Sequence, residues 1–159
     1  MTMKRLLKFL AVTLVIFGLT ACDTVDEKML MNAQETVAQQ LKDPDSARFS
    51  DVFIVRGERG VTPPEDTWQN VAVCGYVNGK NAFGAYAGSM RFVVLFREYD
   101  KSNSHSVIYV KTEETGQKSS KATLDSNNTS KPESVFDKIY WNKDCVDAEH
   151  SPIFSGVDW

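Results

Sequence analysis

The sequence predicts an α+β domain: an N-terminal helix, an antiparallel sheet of about four strands and a C-terminal helix, behind a cleaved signal peptide. Apolar residues first recur at three- and four-residue spacing, strand-like runs then follow one another, and helical spacing returns near the end. The strand-like runs are joined by segments too short for crossover helices, which favours antiparallel pairing. A chain of 159 residues with 42% hydrophobic and 25% charged residues suits one soluble domain, and argues against disorder or a polytopic membrane protein.

The first helix is expected over residues 26–42. Leu30, Ala33, Val37 and Leu41 form one stripe, with Glu27, Lys28, Glu35, Gln39 and Gln40 elsewhere. Asp43-Pro44 stops it, because the residue before proline is pushed out of the α region. Residues 45–49 read as a second short turn or helix start with Asp45 as its cap. Strands are expected over 52–56, 68–77, 91–99 and 106–112. The run Phe92-Val93-Val94-Leu95-Phe96 is the most apolar after the leader. Residues 57–66, with two glycines and Pro63-Pro64, read as a loop. Residues 113–133 are Ser-, Thr-, Asn- and Lys-rich with scarcely an apolar residue, and read as a flexible loop. Ser134 caps a last helix with Val135, Phe136, Ile139 and Tyr140 inside, and the tail from Pro152 is apolar enough to pack.

The N-terminus sets Lys4, Arg5 and Lys8 before an apolar run over 9–19. Eleven residues match the apolar core of a signal peptide and fall short of the roughly 20 needed to span a bilayer. The run closes on Leu19-Thr20-Ala21-Cys22. These residues resemble the lipobox of bacterial lipoproteins. That resemblance implies cleavage before Cys22, acylation of its thiol and amine, and a bilayer held through the acylated Cys22. Two or three acyl chains anchor durably where one does not. The expected organisation is a signal peptide at 1–21, a membrane-proximal tether at 22–28 and a globular domain at 29–159. Asp23 resembles the signal that keeps such lipoproteins in the inner membrane facing the periplasm; the outer membrane is the alternative.

The 18 Lys and Arg against 21 Asp and Glu give −3. Loss of the three leader cations leaves 15 against 21, or −6, a balance that repels phosphate backbones and excludes nucleic acid as an expected partner. With Cys22 lipidated, Cys74 and Cys145 remain as an even pair in an oxidising compartment, read as a structural disulfide. The competing reading is a catalytic or metal-binding thiol. No Cys-x-x-Cys is present, and His105 and His150 are not spaced as zinc ligands, so no metal and no cofactor are expected.

One segment departs from the background: the glycine- and aromatic-rich stretch from Cys74 to Phe92. It is neither a phosphate loop nor a dinucleotide fingerprint, since Asn81 follows Lys80 and no helix follows the glycines. One reading is a hairpin turning on Asn78-Gly79. The other is a recognition surface of Asn78, Lys80, Asn81, Tyr86 and Arg91, since aromatic and arginine side chains are common interface anchors. With Asp43-Pro44-Asp45-Ser46-Ala47-Arg48-Phe49, the stretch Cys74-Gly75-Tyr76-Val77-Asn78-Gly79-Lys80-Asn81 through Gly84, Tyr86 and Gly88 resembles small bacterial and prophage-associated proteins sharing "DPxSAxF" and "CGxVNxKNxxGxYxG". Ala85 stands where many of them have glycine. The resemblance implies no particular activity.

Neither Gly-x-Ser-x-Gly nor His-Glu-x-x-His occurs. The expected function is therefore a membrane-anchored, non-catalytic binding or adaptor module with an envelope protein as partner. A small envelope enzyme, or a prophage-encoded exclusion or inhibitor lipoprotein, is the alternative, and a purely structural lipoprotein is the plainest one.

Overall fold

A computed structural model describes residues 24–63, 66–86, 88–113, 118–124 and 130–153. The leader, the lipobox with Cys22, Asp23 and the tail from 154 lie outside these residues. The domain is α+β. Helix α1 (Val25–Ala38) leads through a 3₁₀ turn (Pro44–Ser46) into a four-stranded antiparallel sheet in the order β1-β2-β3-β4. The strands are β1 (Arg48–Thr62), β2 (Asp66–Asn78), β3 (Met90–Tyr99) and β4 (Ser104–Thr112).

Thr24 starts α1 with a capping box: its hydroxyl accepts from the Glu27 amide, and the Glu27 carboxylate accepts from the Thr24 amide. The helix therefore begins inside the stretch read as a tether, and Asp26 is paired with Arg56 of β1. Met29, Ala33 and Val37 are fully buried, with Leu30 and Leu41 packed beside them, so the expected stripe faces the core with Met29 added at its centre. The 3₁₀ turn is entered from Asp43, and the expected cap Asp45 lies within it.

The central strands β2 and β3 are buried on both faces, which explains the apolar run in β3. Phe92, Val94 and Phe96 join Val71, Val73 and Val77 of β2 beneath α1. Val93 and Leu95, with Ala72 and Cys74, meet Phe136, Trp141 and Cys145 on the opposite face. A central strand covered twice loses the polar alternation of a half-buried one.

Two regions read as loops carry strands. β1 runs on through Gly57, which lies at a break in the register between Arg56 and Arg59, and through Gly60, which pairs with Trp68 of β2. Gly60 lies under the Trp68 indole: a Cβ there would stand 2.3 Å from the ring, so glycine serves ring packing and breaks nothing. Within 113–133, β5 (Lys118–Leu124) and β6 (Ser130–Ser134) pair as a separate antiparallel two-stranded sheet. Their polar composition carries no period-two signal, so composition alone pointed to a loop.

The last helical segment opens at 135, continues as a π-helical turn (Asp137–Trp141) and ends as α2 (Asn142–Asp144). Ser134 caps it as expected, accepting from the amides of Phe136 and Asp137. The wider π turn aligns residues five apart. Phe136 and Trp141 therefore share the buried side, while Val135 and Ile139, expected inside, are exposed. Tyr140 is partly buried, packed beside this core.

Candidate functional site

The connection between β2 and β3 folds back on itself. Lys80 and Tyr86 form a single antiparallel bridge, the Asn81 amide donates to the Ala85 carbonyl (2.8 Å) and the Gly84 amide to the Asn81 carbonyl (2.9 Å). The Asn81 side-chain oxygen accepts from the amides of Phe83 (2.9 Å) and Ala85 (3.1 Å). Gly84, at φ +79°, supplies the left-handed step that closes this turn. The reversal thus lies over 81–85 and not at Asn78-Gly79. Gly79 is committed elsewhere: a Cβ on it would stand 2.8 Å from Leu41 just past α1, and the neighbouring Lys80 amide donates to Ser46 (2.8 Å).

The turn presents Phe83 with 95% of its surface in solvent. Below it the Tyr86 ring takes the Arg48 guanidinium at 4.2 Å and the Lys80 ammonium at 5.9 Å. Phe83 and Arg48 were not among the residues singled out from the sequence. An asparagine two residues before an aromatic and three before a glycine is the local signal that could have found Phe83.

The five residues read as one recognition surface do not form one. Arg91 is buried, its side chain 9% exposed. It donates to Glu113 and pairs with Asp137 at 2.7 Å, while its guanidinium packs 5.2 Å from the Phe136 ring and 5.1 Å from that of Trp141. Burial works against its charge, but Glu113 and Asp137 outweigh it and raise the Arg91 pKa above the ordinary arginine value. It is a clamp between sheet and C-terminal helix. Asn78 is half-buried with its side-chain oxygen enclosed, and the Asn81 side chain is spent on the turn. Lys80, Asn81 and Tyr86 stay together on the loop.

On the face away from α1, Cys74 and Cys145 form a disulfide with Cα atoms 5.9 Å apart, fastening β2 to the end of the helical segment. Beside it opens a cleft of about 580 Å³ lined by Asp51, Phe53, Tyr76, Trp141, His150 and Ser151 among others. The His150 ring lies flat on Phe53, with centroids 3.7 Å apart and planes 6° apart. Its Nδ1 is 2.8 Å from Asp147, whose carboxylate also accepts from the amides of Glu149 and His150. These hydrogen bonds, the Glu149 amide foremost, hold Asp147 below the usual aspartate range.

Among the described residues no helix is long and apolar enough to cross a membrane, and no group of three or more His, Cys, Asp or Glu is placed to hold a metal ion. Comparison with protein-family models, curated proteins and solved structures returned no match, so the site is read from its own geometry.

Proposed function

We propose that this chain is a lipid-anchored envelope protein, held through acylated Cys22 in the inner membrane and facing the periplasm. It acts as a non-catalytic adaptor whose glycine-rich loop docks on an envelope protein. The observation that carries this reading is Phe83: a whole aromatic side chain kept in solvent on a turn whose backbone is fixed by four hydrogen bonds. Burying such a ring is worth roughly 1.5–3 kcal/mol, and a rigid turn loses little entropy when a partner covers it.

The place of the loop in the fold supports a protein partner over the bilayer. Only two peptide units separate Cys22 from the helix cap Thr24, a reach of about 7 Å. The start of α1 therefore stays beside the acyl chains. Asp26, in its first turn, pairs with Arg56, whose row across the sheet is Val71 and Phe96. Leu41, just past α1, packs on Gly79, just past the end of β2. A helix of 14 residues spans about 21 Å, so the length of α1 separates the anchor from the loop.

The test pairs two readouts. The mass of the N-terminal peptide reports acylation at Cys22, and Cys22→Ala is expected to leave an unprocessed or soluble chain. Phe83→Ser, folded and anchored, is expected to lose partner capture. An unacylated Cys22, or capture unchanged by Phe83→Ser, contradicts the respective half of the proposal.

A further inference from the structure

We propose that the aromatic cleft beside the disulfide is a binding site for an organic ammonium group, with Asp51 as its counter-ion and Phe53, Tyr76 and Trp141 as its walls. This site is separate from the glycine-rich loop and does not depend on it.

The cleft is built, and each of its parts is held. Asp51 has φ +48°, a left-handed conformation in a residue that is not glycine, at a bulge where the pairing of β1 with β2 jumps from Ser50 to Phe53. Bulges re-aim side chains, and strained backbone of this kind collects at functional positions. Gly75 opposite makes the bulge possible: a Cβ there would stand 3.0 Å from the Val52 Cα and 3.1 Å from the Asp51 carbonyl oxygen. The far wall is fixed by the disulfide and by Asn142, whose side chain donates to the Ile153 carbonyl (2.7 Å) and accepts from its amide (3.0 Å). Asp147 orients His150 on Phe53. The Trp141 ring stands 6.2 Å from Phe53 and 6.0 Å from Tyr76.

Charge decides the ligand. Arg91, which also packs on Trp141, is neutralised by Glu113 and Asp137, and His150 is paired with Asp147. Asp51 carries no ion pair or hydrogen bond from its side chain among the described residues, so the cleft holds one uncompensated negative charge. Aromatic faces are themselves negative, and attract ammonium groups that enter without a full water shell. A carboxylate lining the same cleft as these rings therefore favours a cation over a neutral or anionic ligand.

Calorimetric titration of the full detergent-solubilised chain tests this with choline, butylammonium and 3,3-dimethylbutan-1-ol, the neutral carbon analogue of choline. At least one cation is expected to bind at least about tenfold more tightly than the neutral alcohol. Stronger binding of choline identifies a trimethylated headgroup as the class recognised, and stronger binding of butylammonium a primary amine. Asp51→Asn is expected to weaken the cation about tenfold while leaving the fold intact, since asparagine tolerates positive φ as aspartate does. Tyr76→Leu, which keeps bulk and removes a ring face, is expected to weaken it as well. Equal binding of the alcohol, cation affinity unchanged by Asp51→Asn, or absence of cation binding overturns the proposal.

Discussion

Replacing Arg91 with alanine removes the group that ties β3 to the C-terminal helix. The side chains of Arg91 and Asp137 are 9% and 11% exposed and stand 2.7 Å apart. In the variant, Asp137 keeps its buried position and loses its counter-ion. Breaking a buried pair from one side costs about 3–5 kcal/mol, because the remaining charge is left without compensation. Glu113, a third exposed, regains water and adds at most about 1 kcal/mol. A loss near 4 kcal/mol is a large share of the 5–15 kcal/mol typical of a domain. Urea unfolding of the oxidised protein, followed by near-ultraviolet circular dichroism, reads the change as a fall in midpoint at constant slope. The double variant Arg91→Met with Asp137→Leu, which replaces the pair by apolar bulk, is expected to recover most of that loss. A single variant within about 1 kcal/mol of the parent, or a double variant no better than the single, refutes the clamp.

Three further outcomes follow from the same contacts. Cys74→Ala with Cys145→Ala opens a crosslink spanning 71 residues and is expected to cost about 4 kcal/mol in the chain-entropy model, with amide exchange rising first around 135–145. Gly75→Ala sets a methyl 3.0 Å from the β1 backbone at the bulge and is expected to cost roughly 1–3 kcal/mol, which thermal unfolding measures. Burial, then the hydrogen bond to Asp144, raises the Tyr109 hydroxyl far above the usual tyrosine range. The folded state thus keeps a proton that the unfolded chain releases near pH 10. Stability is whole below that pH and falls above it, by up to about 1.4 kcal/mol per pH unit; Tyr109→Phe is expected to remove this slope from unfolding midpoints taken at pH 10 and above.

What could be read from the sequence was local or doubly signalled. The α1 stripe, the Ser134 cap and the apolar β3 run follow from neighbours a few residues apart, and the cysteine pair from number and compartment. Distance in the chain hid the rest. Arg91 looks like an exposed anchor until Glu113 and Asp137, 22 and 46 positions on, are folded against it. Gly60 looks like a breaker until Trp68 lies over it. Helical periodicity of 3.6 placed Val135 and Ile139 inside, because a π turn has no sequence signature at that resolution. The cleft joins Phe53 to His150 and Tyr76 to Trp141, contacts that no spacing rule reaches. Of the candidate surface, Lys80, Asn81 and Tyr86 lie on the loop as a glycine-rich hairpin would place them, while Phe83 became visible only once the turn moved to 81–85.

The central claim is that an anchor at Cys22 presents Phe83 to a protein partner away from the bilayer. The most direct test places a photocrosslinking residue at position 83, and separately at the exposed Val61 at the opposite end of the sheet, in the full chain within intact cells. The account predicts a discrete protein adduct from position 83 that is absent from position 61 and reduced by Asn81→Ala, which frees the turn. Lipid adducts from position 83, or the same adducts from both positions, would contradict it.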